Sequence, residues 1–311
     1  MGLETFDLAA FEGATGTERA QRAAQLDGMC RQSGFLVLTG HGIPDRIVVD
    51  MWHAVDRFFA QSAEDKARVA PPFAGAPYGW IGPLKEALAA SKGVETPPDL
   101  KESFNGGPLT VPQDAGKDAL DFCYQSTPYP DLDGFRSAWD GYYGQMETLA
   151  ARIMVAFAAA LKLPKDYFAD AIRTPISALR ALHYPATGTV AEADQQRAGA
   201  HTDYGTLTIL LPKAGAGGLQ VAQGERWIDV TAPPDAFVIN IGDLMARWTN
   251  DAWVSTLHRV IARPNQPARK SLAYFHQPRW DADIRPLDGS DDYPPVKSGP
   301  YLMAKFQSTG A

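Results

Sequence analysis

Cysteine is scarce in this chain of 311 residues, which contains only Cys30 and Cys123. Two thiols are too few for a disulfide framework, and they lack the paired spacing of a structural zinc site. Cys30 also falls on a helical pattern, where a buried thiol acts as a small apolar filler. The sequence therefore excludes a disulfide-stapled fold and favours a reducing compartment.

Long apolar runs are also missing. No stretch approaches the roughly 18 apolar residues that a membrane-spanning helix needs. The N-terminal segment carries Glu4 and Asp7 and lacks the basic, apolar and small-residue order of a signal peptide. We expect a cytoplasmic protein with no membrane partner.

Positive charge is in deficit, since 29 Lys and Arg residues stand against 36 Asp and Glu residues. The net charge of -7 and the scattered basic residues disfavour a nucleic-acid partner, which normally requires a basic stripe. What the chain does have is 45% hydrophobic residues, enough at this length to bury a sizeable core. A globular protein follows, whose oligomeric state the sequence does not decide.

Four regions can be distinguished along the chain. Residues 1–130 are predicted to form a helix and strand region that ends in cover loops rich in Pro and Gly. Residues 131–175 are predicted to be supporting helices, a long one from about Gly134 to Leu161 and a shorter one that ends near Arg173. Residues 176–280 form the predicted core, and residues 281–311 a C-terminal tail.

The predicted core consists of short strands separated by turn clusters. We place strands at Leu179 to Tyr184, Leu207 to Leu211, Gly218 to Ala222, Arg226 to Ile228, Ala236 to Asn240, Ala246 to Thr249, Thr256 to Ile261 and Ser271 to Phe275. Eight short strands at such spacing indicate a sandwich or jelly roll. The fold class is therefore mainly β with flanking helices and a helical N-terminal region.

The triplet His201-Thr202-Asp203 is the most informative motif, together with His258 far downstream. The triplet lies on or just before a predicted strand, where side chains two residues apart point to one face. A second imidazole from a distant strand would complete two histidines and one carboxylate. This facial set is typical of non-heme Fe(II), which prefers about six ligands and is left with open positions.

A second pair follows on a neighbouring predicted strand. Arg269 and Ser271 share one strand face by the same two-residue period. A guanidinium group and a hydroxyl group so placed can bind one carboxylate together. The sequence therefore predicts a metal site and an anion clamp close to each other.

These residues, in this order, resemble the iron ligands and co-substrate clamp of the 2-oxoglutarate and Fe(II)-dependent dioxygenases, in the branch similar to isopenicillin N synthase. Further segments from about Phe35 to about Pro278 match the family in order, and they are Ser33 to Pro44, Lys101 to Phe104, Leu179 to Pro185, Gly218 to Val221, Trp227 and Val238 to Asp243. The resemblance implies a double-stranded β-helix core, with the N-terminal region of the dioxygenase type.

The resemblance also implies the chemistry. Fe(II) would be held by His201, Asp203 and His258, and 2-oxoglutarate by Arg269, Ser271 and Tyr184. With O2 as the second co-substrate and ascorbate as reductant, a small-molecule substrate would be oxidised, by default hydroxylated, and succinate and CO2 released. The metal bound on purification and the identity of the substrate stay open.

Residues expected to line the substrate pocket are Arg180, Tyr204, Asn240 and Phe104. Lys101 and Glu102 are expected to pair with each other and to anchor the cover loop. Two other functions stay open at this point. One is a cosubstrate-independent oxidase of the isopenicillin N synthase or 1-aminocyclopropane-1-carboxylate oxidase type, and the other is a non-catalytic metal or small-molecule sensor on the same barrel.

Overall fold

Two facing β-sheets enclose the interior of the protein in the computed structural model, which describes residues 2–73, 75–188, 195–213 and 217–309. The strands are β1 (Thr5–Asp7), β2 (Phe35–Thr39), β3 (Gly79–Ile81), β4 (Glu102–Gly106), β5 (Ala178–Tyr184), β6 (Ala198–His201), β7 (Leu207–Pro212), β8 (Leu219–Gln223), β9 (Arg226–Asp229), β10 (Phe237–Ile241), β11 (His258–Val260), β12 (Arg269–His276), β13 (Asp283–Ile284) and β14 (Val296–Lys297).

The large sheet has eight strands in the order β1-β2-β10-β7-β12-β5-β4-β3. The small sheet has the order β6-β11-β8-β9, and β13 and β14 form a separate pair. Apolar side chains from both sheets meet in the interior, where Phe35 and Val238 of the large sheet cluster with Val221 of the small one. This is the jelly-roll core that the strand pattern predicted.

Eight helices surround the sheets within the described ranges. They are α1 (Leu8–Gly13), α2 (Gly16–Gln32), α3 (Asp45–Phe59), α4 (Ala63–Ala67), α5 (Lys117–Phe122), α6 (Phe135–Ala160), α7 (Asp243–Trp248) and α8 (Ser298–Thr309), and a 3₁₀ turn spans Leu88–Lys92. None of the helices in the described part of the chain combines the length and apolar character needed to cross a bilayer.

The long helix α6 covers the outer face of the large sheet. Its buried side chains include Trp139 and Tyr143, and the Tyr143 hydroxyl donates a hydrogen bond to the carbonyl of Ser177 at 2.9 Å. Helices α2 and α3 pack on α6 in turn. One face of the large sheet is thus sealed by helices, so only its inner face can contribute to a ligand site.

Three local predictions were wrong. Residues 246–249 belong mainly to helix α7 instead of a strand, because Asp243 and the backbone after it start a helical turn directly behind β10. The segment ending near Arg173 forms turns and not a helix. Strand β6 was missed because Ala198–His201 is short and carries little apolar patterning.

Candidate active site

The two histidines face each other across neighbouring strands of the small sheet. His201 is the last residue of β6 and His258 the first residue of β11, and the antiparallel register places them directly opposite. Their ring centroids are 4.3 Å apart. Residues opposite each other in an antiparallel pair point to the same side of the sheet, so both imidazoles enter the interior.

Asp203 reaches the same point from the loop after β6. Its Oδ1 lies 3.8 Å from Nε2 of His201 and 3.8 Å from Nε2 of His258. The ligand atoms of these three residues all lie within 4.8 Å of one another. Two imidazoles and one carboxylate on one side of a centre form the set that suits Fe(II) and leaves the other side open.

Both imidazoles are oriented by a hydrogen bond to a backbone carbonyl. Nδ1 of His201 bonds to the carbonyl of Gly199 at 2.7 Å, and Nδ1 of His258 bonds to the carbonyl of Thr256 at 3.1 Å. A carbonyl can only accept, so each Nδ1 carries the proton and each Nε2 keeps its lone pair for a metal.

Two strands of the large sheet hold the carboxylate. Oδ2 of Asp203 accepts hydrogen bonds from the Thr208 hydroxyl and, at 2.8 Å, from Nδ2 of Asn240. Thr208 and Asn240 are direct cross-strand partners on β7 and β10. Oδ1 is thereby directed toward the histidines, since its sister oxygen is already occupied.

Burial sets the protonation state that a metal needs. Loss of solvent, aided by the neighbouring His258, holds the pKa of His201 well below its usual range. Burial alone would raise the pKa of Asp203, but the two histidines and the hydrogen bonds from Thr208 and Asn240 outweigh it and the pKa is lowered. A neutral imidazole beside an ionised carboxylate is the form that binds a divalent cation.

The turn after Asp203 depends on two small residues in close approach. A Cβ on Gly205 would lie 2.3 Å from the carbonyl oxygen of His276, and a Cβ on Gly242 would lie 2.2 Å from the carbonyl oxygen of Gly205. The backbone N–H of Asp243 donates to the carbonyl of Asp203 at 2.7 Å. This tight packing fixes the backbone that carries the carboxylate.

The predicted anion clamp lies on the inner face of the large sheet. Arg269 and Ser271 on β12 are 2% and 1% exposed. Nε and Nη1 of Arg269 and Oγ of Ser271 are buried without a hydrogen-bond partner among the residues that the structure describes. Buried polar groups are normally satisfied, so these orphaned donors indicate that a bound acceptor completes the site.

Tyr184 lies beside this clamp. It is the direct cross-strand partner of Arg269, whose guanidinium carbon lies 5.1 Å from the centroid of the tyrosine ring. Sequence reasoning missed a second cation here, Arg197, which is fully buried and donates from Nη2 to the carbonyls of Pro185 and Pro267. Its carbonyl partners hold it in place behind the clamp.

The four residues expected to line the substrate pocket have different positions. Asn240 binds Asp203 and so orients a metal ligand. Arg180 lies on the inner face of β5 and pairs with Glu86 at 3.3 Å. The ring of Tyr204 packs edge-on against Phe306 of helix α8, at 5.6 Å between centroids, so α8 covers the loop that carries Asp203.

Phe104 does not lie where a substrate wall was expected. It is fully buried on the outer face of β4, where its ring packs against Phe58, Phe135 and Trp139. The two-residue period of the strand places Phe104 on the other face of the sheet from its neighbours Ser103 and Asn105. Phe104 is therefore a core residue, and the interpretation as a pocket residue was wrong.

The expected pair of Lys101 with Glu102 was also wrong, for the same reason of alternating faces. Lys101 bonds to Asp99 at 2.6 Å and lies 3.4 Å from Glu86, on the inner side. Glu102 bonds to Lys66 at 2.8 Å and to Nδ1 of His183 at 2.8 Å, on the outer side.

Two polar residues of the inner face were overlooked in the sequence. Thr208 supports Asp203, and Asn105 on β4 is 2% exposed with both side-chain amide atoms unpartnered within the described ranges. The available signal was a polar side chain inside an otherwise apolar strand. A polar side chain in a buried strand normally has a hydrogen-bond partner, in the protein or in a bound ligand.

Two family models match the chain. Residues 175–278 match the 2OG-Fe(II) oxygenase superfamily, and residues 3–128 match the N-terminal region of the non-haem dioxygenases in morphine synthesis. The first match contains His201, Asp203, His258, Arg269 and Ser271. Both matches agree with the arrangement of two facing sheets and a helical N-terminal region.

Curated relatives align over most of the chain. Validamycin A dioxygenase of Streptomyces hygroscopicus subsp. limoneus is 32% identical over 96% of this chain and 84% of its own length. Proline hydroxylase buaE of Petromyces alliaceus is 33% identical over 82% of this chain and 80% of its own length.

A solved structure superposes over nearly the whole chain. A full-length protein of Neurospora crassa in complex with alpha-KG has a TM-score of 0.86 and 29% identity, and the match covers 98% of this chain and 95% of that one. A second structure of that Neurospora protein holds alpha-KG and thymine, with a TM-score of 0.84.

Proposed function

The chain belongs to the 2OG-Fe(II) oxygenase superfamily and is an oxidoreductase that uses iron and 2-oxoglutarate, and we propose that it hydroxylates a small polar organic molecule. In this proposal His201, Asp203 and His258 bind Fe(II), and Arg269, Ser271 and Tyr184 bind 2-oxoglutarate. Iron held by these three protein ligands would keep coordination positions open, as reaction with the keto acid and O2 requires.

One observation carries the assignment of the co-substrate site. Arg269 and Ser271, with their unpartnered atoms, lie on the inner face of β12. Ala273 follows them on the same face, toward the end of the strand that pairs with Thr208. Each charge-assisted hydrogen bond contributes about 1.5 to 3 kcal/mol. A dicarboxylate keto acid satisfies the clamp with its distal carboxylate, whereas a monocarboxylate such as pyruvate leaves it unsatisfied.

The protein's own part in the reaction is to bind, orient and shield. When bound, the metal with 2-oxoglutarate and O2 supplies the oxidising power, by decarboxylation of the keto acid to succinate and CO2. Asn240 and Thr208 keep Asp203 turned toward the histidines, and Arg269 and Ser271 fix the far end of the keto acid. Asp203, His258, Arg269 and Ser271 are buried, which limits the access of water to the reacting centre.

Related proteins support the proposal that the substrate is a small molecule. The Neurospora crassa protein is solved in complex with alpha-KG and thymine, and a relative is named as a proline hydroxylase. Asp203 also fits hydroxylation, because its carboxylate would bind the metal where a halogenating enzyme would need a halide. The loops and the C-terminal helix around the site then determine which molecule enters.

An anaerobic titration tests this proposal directly. Fe(II) and then 2-oxoglutarate are added to the purified protein, and we expect a weak visible charge-transfer band that saturates at one keto acid per chain. On admission of O2, succinate should form, and His201→Ala should abolish both signals. Metal binding with no band and no succinate would support a sensor, and O2 consumption without succinate would support a cosubstrate-independent oxidase.

A further inference from the structure

Asn105 is the most conspicuous polar residue that the metal site and the clamp leave unexplained. It lies on β4, is 2% exposed, and neither Oδ1 nor Nδ2 has a hydrogen-bond partner among the described residues. Leaving a buried amide unsatisfied costs about 1 to 3 kcal/mol per group. Such a cost is maintained where a ligand removes it, so Asn105 indicates a binding position.

The sheet register places Asn105 on the face that carries the site. Asn105 is directly opposite Arg180 on β5, and Arg180 is directly opposite Ala273 on β12. Ser271 and Arg269 follow on that same face at intervals of two residues. Asn105 and Arg180 therefore form one polar row inside the barrel. Asn105 lies two strands from β12, which carries Arg269 and Ser271, and Arg180 lies on the strand between them.

The charge around this row is balanced. Arg180 pairs with Glu86, and Glu86 also lies 3.4 Å from Lys101, which bonds to Asp99 at 2.6 Å. Burial would raise the pKa of Glu86, but Arg180 and Lys101 outweigh burial and lower it, so the carboxylate stays ionised. Two cations and two carboxylates leave no net charge to attract an anionic ligand.

The same network ties the row to the metal ligands. Oδ1 of Asp99 accepts a hydrogen bond from the backbone N–H of Gly199 at 2.9 Å, and the carbonyl of Gly199 holds Nδ1 of His201. A molecule bound at Asn105 is thus held by elements that are fixed relative to the reacting centre.

We propose that Asn105, flanked by Arg180, is the specificity-determining residue for the organic substrate, and that it selects a neutral molecule with a cis-amide edge, such as a lactam, a cyclic imide or a pyrimidinone. An amide side chain offers one donor and one acceptor side by side. Its complement is a ring in which N–H and C=O are adjacent. The proposal rests on the hydroxylase function proposed above and deepens it.

Binding to the anaerobic holoenzyme, loaded with Fe(II) and 2-oxoglutarate, tests the inference. Uracil, 2-pyrrolidinone and succinimide are titrated by calorimetry, with benzoate as a carboxylate of similar size. We expect at least one of the three neutral rings to bind more tightly than benzoate. In Asn105→Ala the affinity for that ring should fall at least about tenfold, because two hydrogen bonds are lost.

Two further variants keep the test independent of folding. Asn105→Asp retains the volume of the side chain but loses the donor and adds a charge. It should therefore lower the affinity for the same ring at least as much as Asn105→Ala does. Gln223→Ala removes an exposed amide at the end of β8 and should change nothing. The visible band with 2-oxoglutarate should be the same in all variants, which shows that the site is folded.

The outcomes separate this inference from the proposed function. If no neutral ring binds, if benzoate binds best, or if Asn105→Ala binds the ring as the parent does, the inference is overturned, while the visible band still supports the oxygenase. If the parent protein shows no band, the proposed function fails, and the ring affinities of the parent and Asn105→Ala still decide the role of Asn105.

Discussion

The metal end and the clamp end of the site differ in how far the protein satisfies its own polar groups. At the metal end, His201, His258 and Asp203 all have hydrogen-bond partners that orient them. At the clamp end, Arg269 and Ser271 are buried yet retain unpartnered atoms among the described residues. The first region is complete as a protein structure, and the second becomes complete only with a ligand.

The difference indicates how each region binds. Groups already held in position lose little conformational freedom when a cation arrives, so the metal end is preorganised. The donors of the clamp are instead buried without partners, and a bound anion offsets this cost because it supplies the missing hydrogen bonds. Substitutions should therefore affect metal affinity at one end and co-substrate affinity at the other.

The largest effect should follow from the loss of the carboxylate ligand. Asp203→Ala removes the only carboxylate of the triad and leaves the two imidazoles alone. We expect succinate formation to fall below detection and the affinity for Fe(II) to fall with it, measured by chelator competition. Asp131→Ala, at an exposed position, is the control and should behave as the parent. Full activity in Asp203→Ala would rule out the triad as the metal site.

Removal of the clamp should come next. Arg269→Ala loses at least one charge-assisted bond worth about 1.5 to 3 kcal/mol, so the KM for 2-oxoglutarate should rise by at least roughly ten- to a hundredfold. Metal affinity should stay as it was, which separates the two ends. Arg269→Lys should recover only part of the loss, since an ammonium group lacks the planar fork. An unchanged KM, as expected for the surface control Arg226→Ala, would contradict the clamp.

A smaller effect is expected at the residues that orient the carboxylate. Thr208→Val keeps the shape but removes the hydrogen bond to Asp203, and we expect Fe(II) to bind about tenfold more weakly. Thr208→Ser retains the hydroxyl and should bind Fe(II) nearly as the parent does. Equal affinities in both variants would show that the hydrogen bond does not contribute. The KM for 2-oxoglutarate, measured at saturating iron, should be unchanged in both.

The smallest effect concerns His276, at the end of β12 far from Arg269. Burial lowers the pKa of His276 to about 3, whereas an ordinary histidine has a pKa of 6.5. The neutral ring is bonded to the Thr206 hydroxyl at 2.6 Å. Its contribution to the free energy of unfolding is therefore fully present above pH 6.5 and is lost as the pH falls toward 3.

Urea unfolding at about pH 7 and about pH 5.5 measures this contribution. The loss in free energy of unfolding between the two pH values should be about 1 kcal/mol smaller in His276→Gln than in the parent. His53→Gln, at an exposed position of α3, is the control for the substitution itself. An identical pH dependence in His276→Gln would mean that the ring is not buried as a neutral group.

The alternating faces of β4 show where sequence reasoning reached its limit. All five residues of this strand are buried, so no pattern of exposed and buried positions reveals which side faces the ligand. Phe104 was assigned to the pocket and Asn105 was passed over, although the fold places them the other way. The ion pairs of Lys101 and Glu102 were misassigned for the same reason.

Motif spacing, in contrast, indicated the cluster of His201, Asp203 and His258, and the structure places their ligand atoms within 4.8 Å of one another. The two-residue interval brings Arg269 near Ser271 because strand geometry is local and fixed, whereas Asp203 reaches His201 from the loop after β6. A core of two β-sheets, as a sandwich or a jelly roll, also followed from local patterns of short strands and turns. Residues of helix α7 were mistaken for a strand because a six-residue segment carries too little periodicity to distinguish the two.

The sequence by itself determined the chemistry of this protein, since the identity and local spacing of its ligands are properties of the chain alone. Only the tertiary structure decided the inner faces of the strands, the pairing of His258 with His201 and the unsatisfied state of Asn105, Arg269 and Ser271. The physical reason is that such features depend on contacts between segments distant in the chain. Burial, register and hydrogen-bond satisfaction exist only once those segments have packed together.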